Sequence, residues 1–326
     1  MSDAEGRVVG GRYRLGSVIG IGSSAVVHRA RDLVGGAPVA VKVFHTGTAD
    51  DLRQHRREVE ALSRMRHPGL VALRADGLED GAPYVVTDLV EGPTLAERIG
   101  AGPLPPEQVR RLAAELAAAL AHVHAGGIVH RDVKPANVLL DDDDGGRARL
   151  TDFGIAKAVA CAVVTEAGLV VGTAAFLAPE QARGAAVGPA ADMYALGLVL
   201  LEALTARREY PGQAVESATA RLHRNPVVPD GLPGGLTALI RALTCADPEM
   251  RPTAAEVVAQ LERPVPVPRR GGVHRRPRRR GPVTVAVSAL GVAAAGSTAV
   301  MIGCLGTAGP APAVGRTPPS AVTVGR

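Results

Sequence analysis

His130-Arg131-Asp132-Val133-Lys134-Pro135-Ala136-Asn137 packs an acid, two bases and an amide into eight residues between a predicted helix and a predicted strand. A solvated surface loop is the bland reading of so polar a stretch. The chemical reading is sharper: Asp132 can orient a hydroxyl and accept its proton. Asn137 can lend an oxygen to a metal, and Lys134 can stabilise developing negative charge. Asp152-Phe153-Gly154 follows, a carboxylate, a hydrophobic anchor and a flexible pivot. Asp and Asn oxygens together with phosphates suit Mg²⁺, a hard ion.

Upstream, the pattern separates into two regions. Tyr13–Ile19, Ala25–Ala30, Val39–Phe44, Val71–Leu73 and Tyr84–Leu89 read as strands, and about 51–66 as a helix on which Leu52, Val59, Leu62 and Met65 recur. From Glu107 the period becomes helical. Val109, Leu112, Leu116, Leu120 and Val123 share an apolar face, and Gly126-Gly127 ends the element. Further helices are expected at Ala190–Leu204, Gly235–Thr244 and Ala254–Leu261.

Two features of the first region could meet a nucleotide. Gly20-Ile21-Gly22-Ser23-Ser24-Ala25 lies between two strands, where small residues let backbone amides approach phosphate; a plain hairpin turn is the alternative. The strand–turn–strand setting disfavours a dinucleotide fingerprint, which opens a helix. Lys42, in the apolar strand Val-Ala-Val-Lys, needs a partner for its charge, and Glu58 on the following helix could supply it. Such a lysine can clamp phosphate oxygens, or form only a surface ion pair. Lys42, Lys134 and Lys157 are the only lysines in an arginine-rich chain, so two of the three fall in these motifs.

At 326 residues the chain can bury a sizeable core in one or two domains. Aromatic residues are only 2%, so Ala, Leu and Val must fill it. Cys161, Cys245 and Cys304 are sparse and widely spaced, which excludes a disulfide framework and fits a reducing compartment. The net charge of +5 is concentrated in seven arginines between Arg269 and Arg280, so it does not argue for nucleic-acid binding. Residues 1–11 read as a flexible N-terminus and 264–282 as an Arg/Pro-rich juxtamembrane linker. Residues 283–305, 23 residues without a charge, read as one transmembrane helix. The arginine block on its N-terminal flank puts that side in the cytoplasm, where it could also meet anionic lipid. The tail, 306–326, reads as a short disordered extracellular segment.

In their order and spacing these motifs resemble a bacterial eukaryotic-type (Hanks-type) serine/threonine protein kinase across residues 13–263. The resemblance implies an α+β, bilobal protein kinase-like fold, with a small antiparallel β lobe over about 12–90 and a larger, mainly helical lobe over about 91–263. It implies ATP with Mg²⁺, Mn²⁺ serving in its place, and protein Ser/Thr hydroxyls as acceptors. Gly20, Gly22 and Ala25, followed by Val27, match the glycine-rich loop, with Ala25 replacing its third glycine. Lys42 and Glu58 match the strand lysine and helix glutamate. Asp132 matches the catalytic aspartate and Lys134 the lysine typical of Ser/Thr specificity, while Asn137 and Asp152 match the metal ligands. Ile19, Ser23, Ala40 and Leu139 complete the implied nucleotide site, with a hinge at Thr87, Asp88 and Val90 and Thr87 as gatekeeper.

The resemblance also implies that Glu180 of Ala178-Pro179-Glu180 pairs with Arg251, and that Asp192 holds the backbone around Asp132. Arg131 would receive a phosphate carried by Thr165, and Thr173 would shape the substrate groove. A homodimer would permit trans-autophosphorylation. The usual Gly-x-x-Pro-Phe region is Arg207-Arg208-Glu209-Tyr210-Pro211 here, so the substrate side differs. Cys161 falls in the activation segment, as an oxidation sensor or an ordinary cysteine. Two rival readings are an ATP-binding pseudokinase and a kinase-like membrane signalling scaffold. Intact Lys42, Asp132, Asn137 and Asp152 argue against the first, and binding of Mg·ATP would argue against the second.

Overall fold

A computed structural model describes residues 6–22, 25–45, 59–60, 63–153 and 174–263. The N-terminal part is a six-stranded antiparallel sheet in the order β1-β2-β3-β4-β6-β5. Its strands are β1 Val8–Val9, β2 Tyr13–Ile21, β3 Ala25–Asp32, β4 Pro38–Phe44, β5 Leu73–Glu79 and β6 Ala82–Asp88. One face buries Val9, Tyr13, Leu15, Ala30, Val39, Val41, Tyr84 and Val86. On the other face Ala25, Phe44 and Val85 pack with Val59. The alternation along β4 explains the division: Val39 and Val41 point to one side, Ala40 and Lys42 to the other.

Two expectations are corrected here. Val8–Val9 pairs with β2, and Val9 is buried, so the stretch read as a flexible N-terminus contains a strand. The strand expected at Val71–Leu73 instead runs Leu73–Glu79, while Leu70 makes an isolated bridge to Leu150. β5 is an edge strand of largely polar sequence, half-buried on one side, and β6 supplies the apolar partners. Asp80-Gly81, both at positive φ, makes the two-residue turn that joins them.

The C-terminal part is mainly helical. Its helices are α1 Leu95–Gly100, α2 Pro106–Ala125, α3 Pro179–Ala182, α4 Pro189–Thr205, α5 Ala214–His223, α6 Leu236–Leu243 and α7 Ala254–Glu262. A small sheet, β7 Val138–Asp141 with β8 Arg147–Leu150, lies against α2. Every apolar position expected on α2 is buried, and Val109, Leu116, Leu120 and Val123 are fully so. α4 is buried almost all round from Ala191 to Leu201, as befits a helix at the centre of its lobe. Gly197 on α4 permits this: a Cβ there would lie 2.6 Å from Thr244 Cγ2 and 2.9 Å from Leu243 Cβ. α1 was not expected from the sequence, although its capping box, Thr94 with Glu97, is a recognisable signal.

Glu58, most of the helix expected at 51–66, and the stretch Val283–Leu305 lie outside the described residues. Among the described residues no helix is long and apolar enough to cross a membrane.

Candidate active site

The register of the large sheet assembles one wall of a cleft. Gly20 lies opposite Val27, Val27 opposite Lys42, and Lys42 opposite Val85, a row across four strands. Ala40 lies opposite Thr87 in the next row. Directly opposed residues share a face, so Gly20, Val27, Ala40, Lys42 and Thr87 look the same way. Gly22 N–H donates to Ala25 O at 2.9 Å, closing the turn between β2 and β3; Ser23 is outside the described residues. Ile19 is half-exposed on β2. Asp88 directs its carboxylate to Arg74 and its amide to Ala72 O, so its side chain is engaged outside the cleft. Leu139 on β7 forms a bridge to Thr94, just beyond Val90.

The loop between α2 and β7 provides the other wall. Lys134 Nζ donates to Asp132 Oδ2 at 3.0 Å, and Asn137 Nδ2 donates to the same oxygen at 3.0 Å and to Asp132 O at 2.8 Å. These bonds fix the Asp132 carboxylate against its own loop. Asp192 on α4, 1% exposed, fixes the loop itself: His130 N–H donates to Oδ2 and Arg131 N–H to Oδ1, each at 2.8 Å. His124 Nε2 stands 2.9 Å from Asp192 Oδ2. Arg131 is thereby held at φ +63°, a left-handed conformation that costs a non-glycine residue about 1–3 kcal/mol.

His130 links the two motifs. Its fully buried ring lies 4.5 Å from that of Phe153; its Nε2 stands 3.0 Å from Thr151 O, and its Nδ1 accepts from Asp132 N–H at 3.3 Å. Burial pushes its pKa below the usual imidazole value, while Asp192 and Asp132 pull in the opposite direction. The neutral tautomer with hydrogen on Nε2 satisfies both contacts.

Asp152, at φ +55°, meets Lys42: Nζ to Oδ1 is 2.7 Å, joining residues 110 apart across the two lobes. Asn137 and Asp152 are neighbours through the backbone, since Thr151 N–H donates to Asn137 O at 2.9 Å beside the Val138–Leu150 pair. Two oxygen-bearing side chains one ladder step apart fit Mg²⁺, which takes few protein ligands and relies on phosphates and water for the rest. Arg251 grips Glu180 through both oxygens, at 2.7 and 2.8 Å, forming the ion pair that the family resemblance implied.

Lys42, Asp132, Lys134, Asn137 and Asp152 are thus connected through one set of contacts. Glu58, Thr165, Thr173 and Cys161 lie outside the described residues. Sequence reading missed His124, which carries no motif signal, and Arg221, treated below.

A two-lobed arrangement with a glycine-bearing hairpin over one wall and a polar loop on the other is the fold of the protein kinase class. The chain belongs to the protein kinase domain family, whose profile matches residues 13–261. It is 37% identical over 261 residues to serine/threonine-protein kinase PrkC of Bacillus subtilis, covering 77% of this chain and 40% of that protein. It is 35% identical over 291 residues to serine/threonine-protein kinase PknL of Mycobacterium tuberculosis, covering 83% of this chain and 72% of that protein. Among solved structures it is similar to Rad53 1–466 in complex with AMP-PNP: TM-score 0.63, 26% identity, 75% of this chain and 63% of that one. The fold is also shared with the Mycobacterium tuberculosis PknI kinase domain, at TM-score 0.65 and 24% identity over 80% of this chain and 98% of that one.

Proposed function

We propose that this chain is a serine/threonine protein kinase, transferring the γ-phosphoryl group of ATP to protein hydroxyls. The meeting of Lys42 and Asp152 across the lobes, beside the loop that holds Asp132 and Asn137, carries the reading. Relatives named as serine/threonine-protein kinases support it, as does the AMP-PNP bound by Rad53.

In this reading Gly20, Gly22, Ala25 and Val27 cover the phosphates, with Ile19, Ser23, Ala40 and Leu139 around the nucleotide and Thr87, Asp88 and Val90 at its base. Lys42 binds phosphate oxygens, and Glu58 steadies it. Asn137 and Asp152 hold Mg²⁺, or Mn²⁺ in its place. The bound ion neutralises phosphate charge. Asp132 orients the acceptor hydroxyl and takes its proton at the carboxylate. Lys134, already 3.0 Å from that carboxylate, offsets negative charge on the transferred group. Catalysis is then mainly positioning and electrostatics.

Thr165 is the acceptor for autophosphorylation between two copies of the chain, and Arg131 receives the phosphate. Val283–Leu305 anchors the protein in the cell membrane as a single pass, with the kinase domain cytoplasmic, the short tail extracellular and the arginine block against anionic lipid.

The test incubates the full chain with Mg·ATP and a protein acceptor, followed by phosphosite mapping, with Asp132→Asn as control. Transfer on Ser or Thr that collapses in the control supports the reading. Transfer undiminished in the control removes Asp132 from its role. Nucleotide binding without transfer by the unaltered chain points to a pseudokinase.

A further inference from the structure

Arg221 on α5 is 3% exposed, and among the described residues its hydrogen bonds run to backbone carbonyls and one hydroxyl rather than to a carboxylate. A cation removed from water without a counter-ion is destabilising unless its donors are well satisfied. Burial lowers its pKa to about 10, which leaves the guanidinium charged at neutral pH. The acceptors show what this charge holds. Nη1 donates to Leu177 O; Nη2 donates to Ala174 O at 2.5 Å and Ser217 Oγ at 3.0 Å; Nε donates to Ser217 O at 3.0 Å.

Ala174 and Leu177 bracket the single 3₁₀ turn Ala174–Phe176, which leads directly into α3. One planar fork therefore ties both ends of that turn to α5. The fork is itself braced. Tyr210 lies under Arg221 at 4.8 Å, Ser217 Oγ donates to Tyr210 O at 2.9 Å, and the Tyr210 hydroxyl donates to Arg224 O at 2.9 Å. The Tyr210 and Tyr194 hydroxyls are 3.3 Å apart, and Tyr194 lies under Arg251, which grips Glu180. Residues 174–180 are thus held at one end by Arg221 and at the other by Arg251, with two buried tyrosines between. Tyr210 belongs to Arg207–Pro211, the stretch in which this sequence departs from the family pattern.

We propose that Arg221 is a positioning residue for the acceptor peptide: its two-point grip on Ala174 and Leu177 sets the conformation of the substrate-docking segment and thereby the peptide KM. The proposal rests on the kinase reading, in which the segment entering Ala178-Pro179-Glu180 meets the substrate.

Steady-state kinetics of the full chain, with a degenerate Ser/Thr peptide library as acceptor, tests it. Arg221→Met keeps the stem and removes every donor; the peptide KM should rise about tenfold, with the ATP KM held to within about twofold. Arg221→Lys keeps the charge but cannot span both carbonyls, so it should resemble Arg221→Met. A wild-type peptide KM in the lysine variant would overturn the two-point grip. So would a joint loss of peptide KM, ATP KM and melting temperature, which marks a purely structural role. Should Arg221→Met not fold, Ser217→Ala removes one acceptor of Nη2. A raised peptide KM with unchanged ATP KM then supports the proposal, and an unchanged peptide KM overturns it. A wild-type chain that phosphorylates nothing in the library fails the kinase reading itself, a separate result.

Discussion

Lys42 Nζ stands 2.7 Å from Asp152 Oδ1, and this ion pair joins the sheet wall of the cleft to the loop that follows β8. The lysine side chain is 24% exposed and the aspartate 40%. Charges so close to solvent contribute little to folding, about 0–1 kcal/mol. In the proposed kinase both groups serve the phosphate and metal site, so their effect is expected on chemistry rather than on folding.

Lys42→Met is therefore expected to lower phosphoryl transfer by about 10²–10³-fold, the scale of losing one preorganised electrostatic contact. Its unfolding midpoint should stay close to wild type. Rate measurements alongside thermal unfolding check both halves; a large fall in melting temperature would mean that the pair is structural.

Asp192 makes the opposite prediction. Its two carboxylate oxygens accept the amides of His130 and Arg131 in a site that is 1% exposed. Asp192→Asn turns one acceptor into a donor facing an N–H. The lost bond and the unsatisfied amide should cost about 1–3 kcal/mol. Arg131 should then relax from its left-handed conformation and shift Asp132, so activity should fall with stability. Denaturant unfolding and transfer rates on the same variant measure the two losses.

The legibility of this molecule followed burial and periodicity. α2 was readable because Val109, Leu112, Leu116, Leu120 and Val123 all fall on the face that packs inward. β5 was misplaced because Arg74, Asp76 and Glu79 give it no apolar repeat; its pairing comes from β6 across an Asp-Gly turn. The residues of the polar loop were readable as chemistry because so many functional groups crowd into so few positions. Their supports were harder to see. The pairing of Glu180 with Arg251 came from family resemblance, whereas Arg221 carries no motif, and its meaning appears only when α5 folds against Ala174 and Leu177. The partner expected for Lys42 was Glu58; among the described residues it is Asp152, a contact between lobes that no local spacing encodes.

Glu180 and Arg251 form a buried bidentate pair, with the arginine side chain fully enclosed. Removing one partner strands the other charge, so Glu180→Gln or Arg251→Met should cost about 3–5 kcal/mol. Arg251→Lys should recover little, since a single ammonium cannot reproduce the fork that also serves Cys245 O and Ala190 O. Denaturant midpoints at fixed pH provide the comparison, and near-wild-type stability in Arg251→Lys would refute the geometric argument.

The last prediction concerns pH and turns on His130. Burial holds its folded pKa below the ordinary 6.5, partly opposed by Asp192, Asp132 and Asp152. Between the folded value and 6.5 the unfolded chain binds more protons than the folded one, so stability rises with pH there. It is fully present above pH 6.5 and declines as pH falls toward the folded value. Each such histidine can add a slope of at most about 1.4 kcal/mol per pH unit. His67 shifts the same way, through burial and the nearby His122 and Arg147, and adds to the wild-type slope. Unfolding free energies measured from pH 7.5 down to about 5 should fall in wild type. His130→Gln should be less stable at pH 7.5, having lost the contacts with Thr151 and Asp132, yet its slope below pH 6.5 should be shallower, because one titrating group is gone. His67→Asn should flatten the slope independently. If His130→Gln keeps the full wild-type slope, the imidazole is not held neutral in the fold, and the tautomer that links Asp132 to Thr151 must be reassigned.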